Sequence, residues 1–468
     1  MREFVDRRPV EPALARRRAA ALLGSVVFSS LLGLILLTAV PYGTAEPWWK
    51  AIFVCSVFAL ALLWIVEGWL SGSWQPAGGT MLLPAVGLVA LALVQSIPLQ
   101  LFGSKAFPGW NAISADPYAS RFFALQVLAL TITGALFLRY AGAEQRTRKL
   151  IHIIVAVAVA SAVFGILRQT TQRQLGFGLP LVKPDQGYGQ FINQNHFAFL
   201  MEMAIGLIVG MVLGGGVKRE KIFIYLAAFL PVWTGLVMSN SRGGILAMLG
   251  QVTSAVLLYF SVVRPHLRSR TSESRLFQIA SSRTIKGMLL MLLMFAIVVG
   301  VIWLGGDRLA TKLEQGTVSF SDVPSEMREN VNRREIWFTS WRMFAENPVA
   351  GVGLGGYWAA FPTYHDASGS LTPQEAHNDY LELLASGGMI GVALGCWFLL
   401  IVFKRIRASL QSDSQFRRTA CLGATIALIG VGIHSLVDFG LHMIVNALIF
   451  TALLAIATAV EPEQAVDL

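Results

Sequence analysis

Several short stretches of this chain bring together residue types that can do chemistry. In Glu375-Ala-His377-Asn378-Asp379-Tyr380 a histidine stands just ahead of an expected helix start. Imidazole titrates near 6.5, which suits it to take a proton from an attacking hydroxyl. A surface histidine that bonds only its neighbours would look the same. Arg242 lies in SNSRGG, residues 239–244. Guanidinium matches a phosphate with two parallel hydrogen bonds, but an arginine beside an apolar helix can also simply snorkel to water. Arg333 and Arg334 open RREIWFTSWRMFAE and offer a second anion clamp. Ion pairing to acids on the same helix is the plainer role. Asn193, Asn195 and His196, in FINQNHFAFL, can bond sugar hydroxyls or cap a helix.

His434, Asp438 and His442 are spaced i, i+4, i+8. They form one stripe if a helix continues across Gly440. Two histidines and an aspartate can ligate a metal, yet a buried network joining two helices fits better, and no metal site is expected. Glu67 and Glu202 are acids inside apolar runs, and Glu202 is a candidate partner for Arg242. Gly351-Val-Gly-Leu-Gly355-Gly356 fits GxGxxG. Dinucleotide binding would need a preceding strand and a βαβ unit. A helix is expected before it instead, so the motif reads as a tight turn where backbone passes close to something. The outer loops hold no DxD, GxSxG or P-loop motif. No cofactor is expected.

The elements that position these residues follow from composition. Of 468 residues, 55% are hydrophobic and 14% charged, and the mean hydropathy is +0.60. Soluble domains carry roughly a quarter charged residues. A soluble enzyme, a disordered chain and a nucleic-acid-binding module are therefore excluded. The fold class is an all-α polytopic membrane protein. Twelve apolar stretches of about 17 to 25 residues match the length that crosses roughly 30 Å of hydrocarbon. They cover 19–40, 51–70, 80–100, 121–139, 150–168, 192–217, 222–238, 243–263, 287–305, 382–403, 419–438 and 442–460. The first is too long for a signal-peptide core, so it reads as a permanent helix. Cys55, Cys396 and Cys421 all fall in apolar runs, which leaves no disulfide framework.

With a cytoplasmic N-terminus, the inner segments hold 24 of the 37 Lys and Arg residues and the other side 13. That asymmetry places both termini in the cytoplasm and accounts for the net charge of +10 without nucleic acid. One long loop, 306–381, faces outward with ten acids against six bases. Its aromatics, Trp337, Trp341, Phe344, Tyr357, Trp358, Phe361 and Tyr364, indicate that it folds against the membrane helices. Arg333–Glu346 has helical spacing, and a second helix should begin near Glu375. The organisation is then 1–190 with five spans, 191–305 with four, the loop 306–381, and 382–468 with three, in one integrated membrane domain.

Four of these pieces, in this order, resemble the bacterial O-antigen ligases and Wzy-type O-antigen polymerases, a superfamily that also holds the pilin protein O-oligosaccharyltransferases. They are SNSRGG at 239–244, RREIW at 333–337 leading into NPVAGVGLGGYWAAF at 347–361, AHNDYLELLASGGMIG at 376–391, and HSLVDFGLHMIVNALIF at 434–450. FINQNHFAF at 191–199 fits more loosely. The likeness runs from about residue 190 to the C-terminus. It implies a GT-C-like glycosyltransferase of the inner membrane, metal-independent, with its active site facing the periplasm. Such an enzyme moves a glycan from a polyprenyl-diphosphate carrier to an acceptor hydroxyl.

The resemblance also implies residue roles. His377 would activate the acceptor. Arg242 and Arg333, or its neighbour Arg334, would hold the diphosphate. His434 and Asp438 match a polar patch near the outer end of the eleventh span; with Asn193, Asn195 and Asn378, read from their own chemistry, they are the expected substrate contacts. The expected activity is that of a ligase joining O-antigen to lipid A-core, with the polymerase next and the protein glycosyltransferase third. A secondary transporter or a membrane scaffold is the competing class; the unlike halves of the chain speak against a transporter.

Overall fold

The computed structural model describes residues 10–40, 46–72, 79–98, 111–171, 188–263, 333–365 and 373–459. Within them the regular structure is helical, with two isolated β-bridges, Pro98 to Ala112 and Tyr188 to Phe191. In chain order come α1 (Val10–Thr38), α2 (Pro47–Ser71), α3 (Gly79–Gln95), α4 (Pro117–Tyr140), α5 (Glu144–Thr171), α6 (Gln194–Leu213), α7 (Ile222–Met238) and α8 (Arg242–Leu258). Then follow α9 (Arg333–Glu346), α10 (Tyr357–Tyr364), α11 (Asp379–Ser409), α12 (Gln415–His434) and α13 (Ile444–Ala457).

Among the described residues, nine helices are long and apolar enough to cross a membrane, and α3 and α13 are shorter apolar helices. These eleven fall on eleven of the twelve expected spans. The remaining one, 287–305, lies outside the described residues, as do 306–332 and 366–372 of the long loop.

Several helix starts are fixed by side-chain caps. Asp116 accepts from the amides of Tyr118 and Ala119. Asn193 accepts from Asn195, Ser241 from Gly244, and Asn378 from Tyr380 and Leu381. Each satisfies amides that a first helical turn leaves without a partner.

The centre of the bundle is the pair α6 and α12. Small residues let their backbones touch. A Cβ on Gly210 would sit 2.1 Å from Gly423 Cα, and one on Gly206 would sit 2.4 Å from the Ala427 amide nitrogen. Lipid offers no hydrophobic reward for helix association, so such close approach is what holds membrane helices together. Helix α8 packs against the same pair, α13 against α12 and α4, and α3 against α4 and α11. The outer helices turn Leu22, Leu62, Trp69 and Phe223 outward.

The loop helices α9 and α10 do fold against the bundle. Ile336, Met343, Val352, Tyr357, Phe361 and Ala385 share one buried cluster. The glycine run 351–356 docks on a break in α11 at Gly388, where φ is 59° and ψ −158°. The amides of Val352 and Gly353 donate to the carbonyls of Ala385 and Ser386. The amides of Met389 and Ile390 donate to Pro348 and Val349. Gln95, fully buried at the end of α3, donates to Ala350 and Ser386 and accepts from the Leu354 amide. Only glycine fits at 351, because a Cβ there would lie 2.4 Å from the Ser386 carbonyl carbon. The GxGxxG pattern thus splints a broken helix.

Candidate active site

Asp438 stands at the centre of the site, in the turn that follows α12, and is buried. Its Oδ1 accepts from the Phe439 amide at 2.9 Å. Its Oδ2 accepts a hydrogen bond from Asn195 Nδ2. Three basic groups surround it. His377 Nδ1 lies 3.7 Å away, His196 Nε2 3.8 Å and an Arg333 terminal nitrogen 3.8 Å. Burial alone would raise the carboxyl pKa. The His377 imidazole, with His196 and Arg333, outweighs it and holds Asp438 well below the usual carboxylate range. Asp438 is therefore an anion at any physiological pH.

His377 comes from the residues just ahead of α11. Its backbone is left-handed, with φ 51°. That turn lets Asn378 cap α11 while the imidazole points back to Asp438. Among the described residues only one other non-glycine has positive φ, Asn240 at 53°, two residues before Arg242. Backbone strain of this kind persists where the surroundings over-determine it, and it gathers at functional sites. Here it marks the two motifs that carry Arg242 and His377. Trp337 Nε1 donates to the Ala376 carbonyl at 3.1 Å and ties α9 to the segment bearing His377. The Asp379 amide donates to Ser435, and Tyr380 Oη donates to Gly432, which tie α11 to α12.

Arg242 is the first residue of α8, after the Ser241 cap. The next residue, Gly243, lies against the His434 ring; a Cβ there would come 2.5 Å from Nε2. His434 itself is fully buried. Its Nδ1 lies 3.1 Å from Glu202 Oε2, and its ring stacks on Phe199 at 4.0 Å.

A second cluster adjoins the first. His442 lies 3.8 Å from Glu375, 3.6 Å from Asp379 and 3.7 Å from Glu382. Burial would lower its pKa, but Glu382, Glu375 and Asp379 raise it to about 10, so the ring is an imidazolium. The Phe439 ring separates the two clusters. It meets His196, His377 and His442 edge-on, with centroids 4.8, 4.7 and 5.6 Å apart.

Residues 226–396 match the family model of the O-antigen ligases. The likeness covers a little over a third of the chain. No curated protein matches the chain. The matched residues take in most of α7, all of α8, the loop helices, His377 and α11 through its break. Asp438, His196 and Asn195 lie outside the matched residues, so the cluster joins the matched segment to α6 and to the segment after α12.

Of the residues expected from sequence, the structure brings together His377, Arg333, Asn195 and Asp438. Arg334 is exposed, and Arg333 is the one of the two that approaches Asp438. Asn193 and Asn378 serve as helix caps. His434 is enclosed beneath the site.

Two expectations are corrected. His434, Asp438 and His442 do not share a helical stripe, because α12 ends at His434 and residues 440–442 form a 3₁₀ turn. The Ser435 carbonyl is taken by Asp379 and the Phe439 amide by Asp438's own side chain, which diverts the chain from the helix. Glu202, expected beside Arg242, instead pairs with His434. Glu67 bonds Tyr140 and pairs with Arg139. Sequence reasoning gave no role to Phe439, Gln95 or the acids around His442. The turn signal Asp-Phe-Gly at 438–440 was the one cue that the helix stops there.

Proposed function

We propose that this chain is a membrane glycosyltransferase that moves a glycan from a polyprenyl-diphosphate carrier to an acceptor hydroxyl, acting as an O-antigen ligase on lipid A-core. The observation that carries this reading is His377 facing the ionised Asp438, with Arg333 beside them. An imidazole whose Nδ1 proton points to a buried carboxylate keeps its Nε2 lone pair for a substrate.

In the proposed reaction, His377 Nε2 takes the proton of the acceptor hydroxyl. The oxygen attacks the anomeric carbon as the bond to the diphosphate breaks, and the bonding electrons leave with the diphosphate. Arg333 and Arg242 offset the negative charge that develops there. One such preorganised charge is worth roughly 10²–10³ in rate. Displacement from the opposite face inverts the anomeric configuration, and a product of retained configuration would exclude it. The active site would face the periplasm of the inner membrane, where a lipid-borne donor presents its head group.

A second reading, the Wzy-type polymerase, draws support from the acids around His442. Glu375, Asp379 and Glu382 outnumber the single imidazolium, and an anionic lipid A-core is a poor neighbour for them.

Gene deletion in the host, with gels of surface glycolipid and a blot for carrier-linked glycan, separates these readings. Bare lipid A-core with accumulated long carrier-linked chains is the ligase outcome. Core bearing a single repeat is the polymerase outcome. Unchanged glycolipids overturn both. Complementation with His377→Ala and with Arg242→Ala, at matched expression, tests the chemistry: a scaffold tolerates both changes.

A further inference from the structure

Helix α9 has two apolar sides. One side, Ile336, Thr339, Ser340 and Met343, is buried against α10 and α11. The other is exposed and follows helical spacing: Arg334, Phe338, Trp341 and Ala345. Phe338 is 64% exposed and Trp341 53%. Val349 at 64% and Trp358 at 56% add to the same module. Four large apolar side chains on so small an element are too many for a face that meets only water.

The height of this face relative to the bilayer follows from α11. Between Glu382 and Gly388 no side chain of that helix is exposed. From Met389 onward it shows Met389, Ile390, Trp397, Leu399, Leu400 and Phe403. Met389–Phe403 rises about 22 Å, and the long stems of Lys404, Arg405 and Arg407 let the helix cover the rest of the hydrocarbon while their charges reach the opposite surface. The break at Gly388 therefore lies at the bilayer surface, at the end opposite the basic Lys404, Arg405 and Arg407. Val349 is fixed at that level, since its carbonyl accepts from the Ile390 amide. The exposed face of α9 is thus continuous with the lipid-facing flank of α11.

We infer that α9 and α10 form an interfacial anchor whose occupant is bilayer lipid. Phe338, Trp341, Val349 and Trp358 enter the head-group and upper acyl region, and Arg334 stands among the phosphates. Tryptophan favours this depth because its ring is apolar and its N–H is not. The anchor fixes the height of Arg333 and His377 above the hydrocarbon. It is independent of which glycan is transferred.

Site-directed spin labelling of the full chain tests the inference. Cys55→Ser and Cys396→Ser remove the exposed thiols. Labels then go on Phe338→Cys, Trp341→Cys and Trp358→Cys, with Glu346→Cys as the water-facing control. Measurements are made in vesicles of phosphatidylethanolamine and phosphatidylglycerol, with oxygen and a water-soluble nickel chelate as relaxers. The expected result is a severalfold higher ratio of oxygen to nickel accessibility at 338, 341 and 358 than at 346. Equal nickel accessibility at all four sites overturns it. Shielding from both relaxers would assign the face to another segment of the chain. Shielding from nickel only after lipid A-core is added would assign it to the acceptor. Both of these also overturn it.

Discussion

The two clusters on either side of Phe439 are electrostatic opposites. On one side a single carboxylate, Asp438, is ringed by His377, His196 and Arg333. On the other a single imidazole, His442, is ringed by Glu375, Asp379 and Glu382. Burial disfavours the charged form at both centres, and in both the surrounding charges win. The first cluster sets one arginine and two imidazoles around its carboxylate. The second has acids to spare and suits a polar, uncharged or cationic neighbour. Four residues of chain, from Asp438 to His442, separate the two centres, with the Phe439 ring between them.

The sharpest way to break this contrast is at the base. His377→Ala is expected to lower turnover by roughly 10²–10⁴, the usual worth of a positioned proton acceptor. Transfer from purified carrier-linked glycan measures it. His377→Ala with near-normal turnover would remove the base from the mechanism.

Next in size are the arginines. Arg333→Ala is expected to lower kcat by roughly 10²–10³, whereas Arg334→Ala, on the exposed face, should leave kcat within a few-fold. Equal losses would show that Arg333's approach to Asp438 does not matter.

The third prediction concerns the hub. Asp438→Asn keeps the shape but leaves His196, His377 and Arg333 without their buried anion. Leaving one member of a buried charge pair typically costs about 3–5 kcal/mol. A thermal melt in detergent reads this as a large fall in Tm.

The smallest effects are in pH dependence, and they have opposite signs. Asp438 has a lowered pKa in the fold, so its stabilisation is present above the ordinary carboxylate range and is lost as acid protonates it. His442 has a raised pKa, so its stabilisation is complete below about 6.5. It declines as pH climbs and is gone above about 10. Asp438→Asn should flatten the acid side of a Tm-against-pH curve, and His442→Gln the alkaline side by a few degrees. Identical curves for wild type and His442→Gln would show that the second cluster does not hold its proton.

Eleven of the expected spans were legible because hydrocarbon thickness writes itself into the chain as runs of fixed length. The motif around His377 was legible because a cap follows it directly at Asn378. The pairing of Asn195 and His196 with Asp438 was not, because 243 residues separate Asn195 from Asp438 and no local period encodes the contact. Glu202 and His434, 232 residues apart, escaped for the same reason. The stripe through His434, Asp438 and His442 failed differently. Helical spacing was real, but competing hydrogen bonds from α11 ended the helix first.

The splinted break in α11 also constrains how the protein is made. At the break, at the edge of the hydrocarbon, the Ala385 and Ser386 carbonyls and the Met389 and Ile390 amides lack helical partners, and burying such a group unmatched costs free energy. Residues 348–353, which supply the partners, are synthesised before α11, and α3 with Gln95 is made earlier still. The chain order lets the patch wait for the break. Insertion of α11 and docking of the glycine run then form a single cooperative event, and bulk introduced at Gly351 would act at the insertion step, ahead of any effect on turnover.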